Sequence, residues 1–408
     1  MSATSTSVTA NDIEEAYQKI QSSVRKTPLL RSENFERRIG AKFPIYFKVE
    51  SLQYTGSFKS RGALNKLLSL SEASKKKGVI TASAGNHAQG VAYHSQRLGI
   101  DAKIVMPLAT PLIKIKSTKQ WGAEVILFGE SYQEAHERAL EIQKSEGREY
   151  IHAFDDAFII AGQGTIAKEV YDECKEIELF IAPMGGGGLL AGCGTYFKEK
   201  NSKIKMVAVQ ADGCSNFLPS LKAGKPVTLT TSNTIAEGIA VKRMGDMTFE
   251  ICRKWITETV LVSDEETAVG LLWLLENERL FVEGCGGAAV AAVLKKPELI
   301  TGPTVILLSG GNLDVNLLAR IIERGLAQAG RLARFELTIP DAPGTLYKIL
   351  GTIAEERASI IHVSHERIFG KTTLREVQAR FILETHGLDH NERVKAALKK
   401  QGWEIRFL

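Results

Sequence analysis

Short apolar runs alternate along this chain with longer segments whose apolar residues recur at helical spacing. The short runs predict strands over 44–49, 78–82, 104–106, 124–128, 150–153, 179–183, 206–210 and 301–308. The periodic segments predict helices over 11–23, capped by Asn11, and over 88–98, 111–121, 132–146, 162–174 and 189–198. Strands alternating with helices argue for a parallel sheet covered on both faces. The pattern changes after Arg331. Residues 334–340 alternate strictly, a turn at 341–344 leads into a helix through 357, strands follow over 359–367 and 375–385 through Phe369-Gly370-Lys371, then a helix over 390–401 and a last strand over 403–408. That is a βαββαβ order, the mark of a separate small α+β module.

Composition narrows the class. A chain of 408 residues suggests two or three domains. Its hydrophobic content of 44% and charged content of 24% are those of a soluble globular protein. The formal net charge of +5 is small and its lysines and arginines are scattered, which argues against nucleic acid as a partner. The five cysteines, at 174, 193, 214, 252 and 285, contain no Cys-x-x-Cys pair and fit reduced thiols in a cytoplasmic protein. Residues 1–10 are rich in Ser and Thr and predict a disordered tail, not a signal peptide. No apolar run approaches the roughly 20 residues of a membrane helix.

The candidate chemistry centres on Glu-Ser-Leu-Gln-Tyr-Thr-Gly-Ser-Phe-Lys-Ser-Arg-Gly-Ala at 50–63. Ser57 is the expected N-cap of a helix whose first turn holds Lys59 beside Phe58. The helix dipole and the apolar neighbour both disfavour an ammonium there and lower its pKa. Such a lysine is a nucleophile towards carbonyls; taken alone, it is equally a solvated residue at a helix start. Three further stretches follow in order: Ser-Ala-Gly-Asn-His-Ala-Gln-Gly at 83–90, four glycines at 185–188, and Leu-Ser-Gly-Gly-Asn at 308–312. The glycines lie between a strand and a helix, where backbone amides present themselves to a phosphate.

In that order these motifs resemble the fold-type II pyridoxal-phosphate enzymes, within them the threonine dehydratase and serine racemase branch, over roughly residues 12–330. The resemblance implies a tryptophan synthase beta-like α/β fold of two open subdomains, the smaller (51–154) inserted into the larger. It implies that Lys59 carries the cofactor as a Schiff base and removes the substrate Cα proton, with Phe58 beside it. It places Asn86 on the cofactor's ring hydroxyl, Ser309 on the pyridine nitrogen, and Gly185, Gly186, Gly187, Gly188 and Leu189 around the phosphate. The turn Ser83, Ala84, Gly85, Asn86 and His87 would hold the substrate carboxylate, with His87 shaping the turn rather than catalysing. Glu283, and Glu237 in a similarly placed Ala-Glu-Gly, would lie near the cofactor, where a cation is also a candidate.

Two departures from the family are informative. Racemases have an acid/base serine where this chain has Ala84, and a methyl group moves no proton. They also have an acidic residue near Gln210 for a divalent cation; a neutral glutamine argues against that site and leaves room for a monovalent one. The resemblance therefore favours dehydration of L-threonine to 2-oxobutanoate and ammonia, and of L-serine likewise. A racemase/dehydratase or a threonine synthase-like enzyme is the alternative. Residues 331–408 resemble an ACT domain, a regulatory amino-acid-binding module. This implies an effector, isoleucine or valine, at the 341–344 turn beside strand residues 360–363, a role in isoleucine biosynthesis, and a homodimer or homotetramer.

Overall fold

The computed structural model describes residues 8–367 and 373–407. Its strands are β1 (Leu29–Arg31), β2 (Ile45–Val49), β3 (Val79–Ala82), β4 (Ala102–Met106), β5 (Glu124–Leu127), β6 (Glu149–Tyr150), β7 (Leu179–Pro183), β8 (Lys205–Ala211), β9 (Glu258–Val262), β10 (Thr304–Leu308), β11 (Leu332–Pro340), β12 (Ser359–Glu366), β13 (Glu376–Glu384) and β14 (Ile405–Phe407). The chain divides into two units, Met1–Leu317 and Leu318–Leu408.

The first unit holds two sheets. The larger runs β1-β2-β10-β7-β8-β9, parallel except for β1. Strands β7 and β10 are buried at every position, so their sequences read as unbroken apolar runs rather than alternating ones. The smaller sheet runs β5-β4-β3-β6, all parallel. Both sheets are therefore of the α/β kind expected.

Several boundaries differ from the expected ones for local reasons. The first helix is Ala10–Ile20, and Thr9 rather than Asn11 caps it in a reciprocal pair with Asp12. Val8 is buried in the main core. Residues 8–10 are thus part of the fold, against the expected ten-residue tail; residues 1–7 lie outside the described ones. Helix Ala157–Glu173 begins five residues before the expected 162, because the Asp156 side chain accepts the N–H groups of Phe158 and Ile159. Strand β6 is shorter than 150–153, since His152 Nδ1 accepts the N–H groups of Phe154 and Asp155 and turns the chain. Helix Asp246–Trp255, β9 and helix Asp264–Trp273 had no counterpart in the sequence reading.

Helix Lys59–Leu68 lies against Ala157–Glu173 with almost no space between backbones. A Cβ added at Gly162 would fall 2.6 Å from the Cα of Gly62, so both positions need glycine.

The second unit is a four-stranded antiparallel sheet in the order β12-β13-β11-β14. It carries the helices Thr345–Glu355 and Leu388–Lys400 between strands, in the βαββαβ order expected. Strand β11 alternates, burying Ala333, Phe335, Leu337 and Ile339, the last three in a core shared with Ile349, Ile353, Phe381 and Leu398. The connection through 369–371 lies outside the described residues.

A buried ionic cluster ties the first unit together. The guanidinium of Arg61 donates to Glu50 at 2.9 and 2.8 Å and to Glu169 at 2.7 and 2.8 Å. Lys48 donates to Glu169 at 2.6 Å and to the Thr27 carbonyl at 2.7 Å. None of these four side chains is more than 1% exposed. Burial alone would raise the Glu50 carboxyl, but the adjoining Arg61 guanidinium holds it below the usual carboxylate range. Two cations and two anions leave no net charge in the interior, the condition under which such a group is tolerated.

Replacing Arg61 by Met would leave two buried carboxylates facing one ammonium. We expect Arg61→Met to destabilise the catalytic unit by about 3–5 kcal/mol, measured by denaturant unfolding. An unchanged midpoint would show that the cluster bears no weight in the fold.

Candidate active site

The lysine stretch meets the end of β10 edge to edge. Ser57 pairs with Gly310 across an isolated β-bridge. The Phe58 N–H donates to the Ser309 carbonyl at 3.1 Å, and Gly311 N–H to the Gly56 carbonyl at 2.8 Å. Gly56 has φ +71, and a Cβ there would lie 2.6 Å from Asn312 Oδ1. The seam thus fixes the start of the lysine helix from outside it. Ser57 is not the N-cap expected; Phe58 takes that position and no side chain caps the helix. The Ser57 hydroxyl, like that of Thr55, is buried without a partner among the described residues.

Lys59 opens the helix and its Nζ donates to the Ala153 carbonyl at 2.6 Å. Removal from water lowers its pKa to about 8, opposed by Cys285 and Glu283. The direction is the expected one, but the cause is burial. Phe58, expected to disfavour the charge as an apolar neighbour, holds its ring 5.3 Å from Nζ, an arrangement that favours the cation.

Phe154 follows Ala153 directly and covers the glycine run. A Cβ at Gly186 would lie 2.3 Å from its ring, and one at Gly188 would lie 2.8 Å from its carbonyl oxygen. The carbonyls of this run are held from behind. Asn216 Nδ2 donates to Gly185 O at 3.2 Å, Thr248 Oγ1 to Gly186 O at 2.7 Å, and Cys252 Sγ lies 3.5 Å from Gly187 O. In a trans peptide the N–H points opposite to the preceding carbonyl. The amides of Gly186, Gly187 and Gly188 are therefore turned away from those three side chains. Helix Gly188–Lys200 starts here with Leu189 in its first turn and no side-chain cap. This is a loop of aimed amides on a helix dipole, which suits a phosphate.

At the third motif, Ser83 N–H donates to the Val105 carbonyl and helix Asn86–Leu98 begins without a side-chain cap. Ser83, Ala84, Gly85 and Asn86 are half-buried. His87 is buried and its Nε2 lies 3.0 Å from the Ile151 carbonyl. Burial pushes its pKa down to about 3, helped by the charge of Lys59, so it stays neutral. Asn86 donates to Glu283 and accepts from Asn312. Ser309 is 1% exposed at the end of β10.

The structure thus brings Lys59, Phe58, Asn86, Glu283 and Ser309 around one seam, with the glycine run joined to it through Ala153 and Phe154. Glu237 is exposed and pairs with Lys114, and both charges reach Glu283. Gln210 is buried, donating to Met184 O at 3.2 Å and Asn216 Oδ1 at 2.8 Å, with its carbonyl taken by the Phe217 N–H. Among the described residues no group of three or more His, Cys, Asp or Glu side chains could hold a metal.

Sequence reasoning gave no role to Asn312, Phe154 or Arg61. Asn312 stood in the quoted motif but offered no sign of its partner. The residues present fit pyridoxal phosphate: an amine of lowered pKa, an amide cradle with no room for side chains, and two partnerless hydroxyls on the bordering seam.

Comparison with known proteins bears on the same residues. The model of the family described as pyridoxal-phosphate dependent enzyme matches residues 20–310. An L-threonine ammonia-lyase from Thermotoga maritima is 41% identical over 401 residues, 98% of this chain and 100% of that protein. The processed form of threonine deaminase isoform 2 from Solanum lycopersicum superposes with a TM-score of 0.72 at 36% identity, covering 79% of this chain and 96% of that one. Maize serine racemase superposes with a TM-score of 0.73 at 31% identity, covering 79% and 98%. A match over this span, on a fold that holds two α/β sheets, makes the chain a member of the family of pyridoxal-phosphate dependent enzymes.

Proposed function

We propose that the protein is an L-threonine ammonia-lyase, converting L-threonine to 2-oxobutanoate and ammonia and acting on L-serine in the same way. The observation that carries this reading is the lysine-to-glycine-run geometry, taken with a relative of that activity aligned along its whole length. Pyridoxal phosphate, when bound, supplies the electron sink that makes the substrate Cα proton removable. Lys59 would hold it, Gly185–Gly188 and Leu189 would take its phosphate, and Asn86 and Ser309 would meet its ring.

The chain's own groups account for the remainder. An amine with a pKa near 8 is neutral in a useful fraction near neutral pH and accepts the Cα proton. The helix start at Asn86, which no side chain caps, would present its amides to the substrate carboxylate. Loss of hydroxide from Cβ and later uptake of one water leave the keto acid and ammonia, so atoms balance. Phe154 packs over the glycine run. Ala84 offers no second base opposite Lys59, which favours elimination over racemisation and weighs against the racemase alternative.

The second unit supports an ACT-like regulatory role. Its strand order is the ferredoxin-like one, and the turn 341–344 leads into helix Thr345–Glu355 with no side-chain cap. Asp341 is held by Arg367 through two bonds of 2.9 Å, fixing that turn to the end of β12. Ile360 and Ile361 are exposed on β12, an edge strand, and suit a branched amino acid between two paired modules. Such pairing fits a dimer or tetramer, and feedback by isoleucine or valine fits a cytoplasmic biosynthetic enzyme. An effector acts through unequal affinity for two states, with coupling of about 1–3 kcal/mol.

Two outcomes are expected. Lys59→Ala should abolish 2-oxobutanoate formation from threonine while the far-UV spectrum stays that of the wild type; keto-acid release by the pure variant would overturn the assignment. Titrating isoleucine and valine at sub-saturating threonine should shift the response of the full chain, and a chain ending near Arg331 should lose that shift. An equal response from both would place the effector elsewhere.

A further inference from the structure

Glu283 stands at the N-cap position of helix Gly284–Lys295, yet its side chain caps nothing. Both of its carboxylate oxygens turn to Asn86 instead, accepting from Nδ2 at 2.8 and 3.0 Å. The other side of the same amide is held too. Asn86 Oδ1 accepts from Asn312 Nδ2 at 2.7 Å, and that nitrogen also donates to the Thr55 carbonyl at 2.7 Å. We propose that Glu283 is a positioning residue, one end of a hydrogen-bonded relay Glu283–Asn86–Asn312 that fixes which way the Asn86 amide faces in the site. This rests on the reading that Asn86 meets the cofactor ring.

The relay fixes one orientation. Turning the Asn86 amide over would set its oxygen against a carboxylate and its NH2 against the NH2 of Asn312, losing every bond. An NH2 has two hydrogens, and a carboxylate that fixes the plane of the amide fixes both. A hydrogen not taken by Glu283 would then face the cofactor's ring oxygen.

The carboxylate is held in place by backbone. A Cβ at Gly310 would lie 2.6 Å from Glu283 Oε1, and one at Gly238 would lie 3.2 Å from it. Gly310 is also the residue bridged to Ser57, and its carbonyl accepts the Glu283 N–H at 2.8 Å. The relay therefore shares its frame with the seam that positions Lys59.

Keeping this group where it is costs free energy. Glu283 is 8% exposed, and burial pushes its carboxyl up to about 7. The Asn86 hydrogen bond opposes that shift, Glu237 adds to it, and Lys114 and Lys59 oppose it. Cys285 is the remaining titratable neighbour, and Glu283 raises it. A carboxylate retained beside a reactive lysine with only an amide to satisfy it is the kind of group that function keeps.

The test uses the holoenzyme of wild type, Glu283→Ala, Glu283→Gln, Asn312→Ala and the Ala/Ala double variant. Each is followed by threonine kinetics, by the absorption band of the bound cofactor and by thermal melting. Glu283→Ala and Asn312→Ala should each lower kcat by about 10–100-fold, the range for partners that orient a ligand, with KM within about threefold. Both should shift the cofactor band. The double variant should be no worse than either single one, since both act through Asn86. Glu283→Gln keeps an acceptor oxygen and should restore most of kcat and the original band. The proposal is overturned if Glu283→Ala keeps the wild-type band and kcat, or if the two single effects multiply and follow the loss of melting temperature. A wild-type enzyme with no lysine-bound cofactor band would instead overturn the cofactor reading itself.

Discussion

The guanidinium of Arg61, clamped between Glu50 and Glu169, is the interaction on which the arrangement of the catalytic unit depends. It joins the end of β2, the lysine helix and helix Ala157–Glu173 through four buried bonds to carboxylates and one to the Thr165 hydroxyl. Lys59 stands two residues before Arg61, so the helix that presents the amine is the helix that carries the clamp. The close backbone approach of Gly62 to Gly162, next to that clamp, leaves no room for a Cβ at either residue. Burying four charges contributes little stability in itself. What it supplies is a single allowed register for the lysine helix.

Around that anchor the site is made mostly of backbone. The glycine run offers amides because Asn216, Thr248 and Cys252 occupy its carbonyls. The lowered pKa of Lys59 comes from burial beside the Ala153 carbonyl, and the next residue, Phe154, covers the glycine run that follows β7. Asp155 then caps helix Asp246–Trp255 through the N–H groups of Asp246 and Thr248, at 3.0 Å each. One short segment, 152–156, thus ties the lysine, the glycine run and two helix starts.

Much of this was legible from sequence where the signal is local. The run at Leu179–Pro183 and the periodic helix Tyr132–Glu146 are where the pattern puts them, because capping and burial follow from adjacent residues. The βαββαβ order of the second unit is legible for the same reason. Long-range partners were not. Arg61 meets Glu169 across 108 positions and Asn86 meets Asn312 across 226, distances at which spacing carries no information. Ser57 looked like a cap, and the β-bridge to Gly310 claimed its backbone instead. The start at Ala157 depends on Asp156, whose side chain accepts the N–H groups of Phe158 and Ile159 and so carries the helix ahead of residue 162.

The amine of Lys59, proposed as the group that holds the cofactor, can be tested chemically. Borohydride reduction of the holoenzyme fixes the cofactor to its lysine, and peptide mass mapping then reads the position. With the cofactor on Lys59, the label falls on the peptide containing Lys59 and on no other. A label on a different lysine, or none from a cofactor-saturated protein, would contradict it.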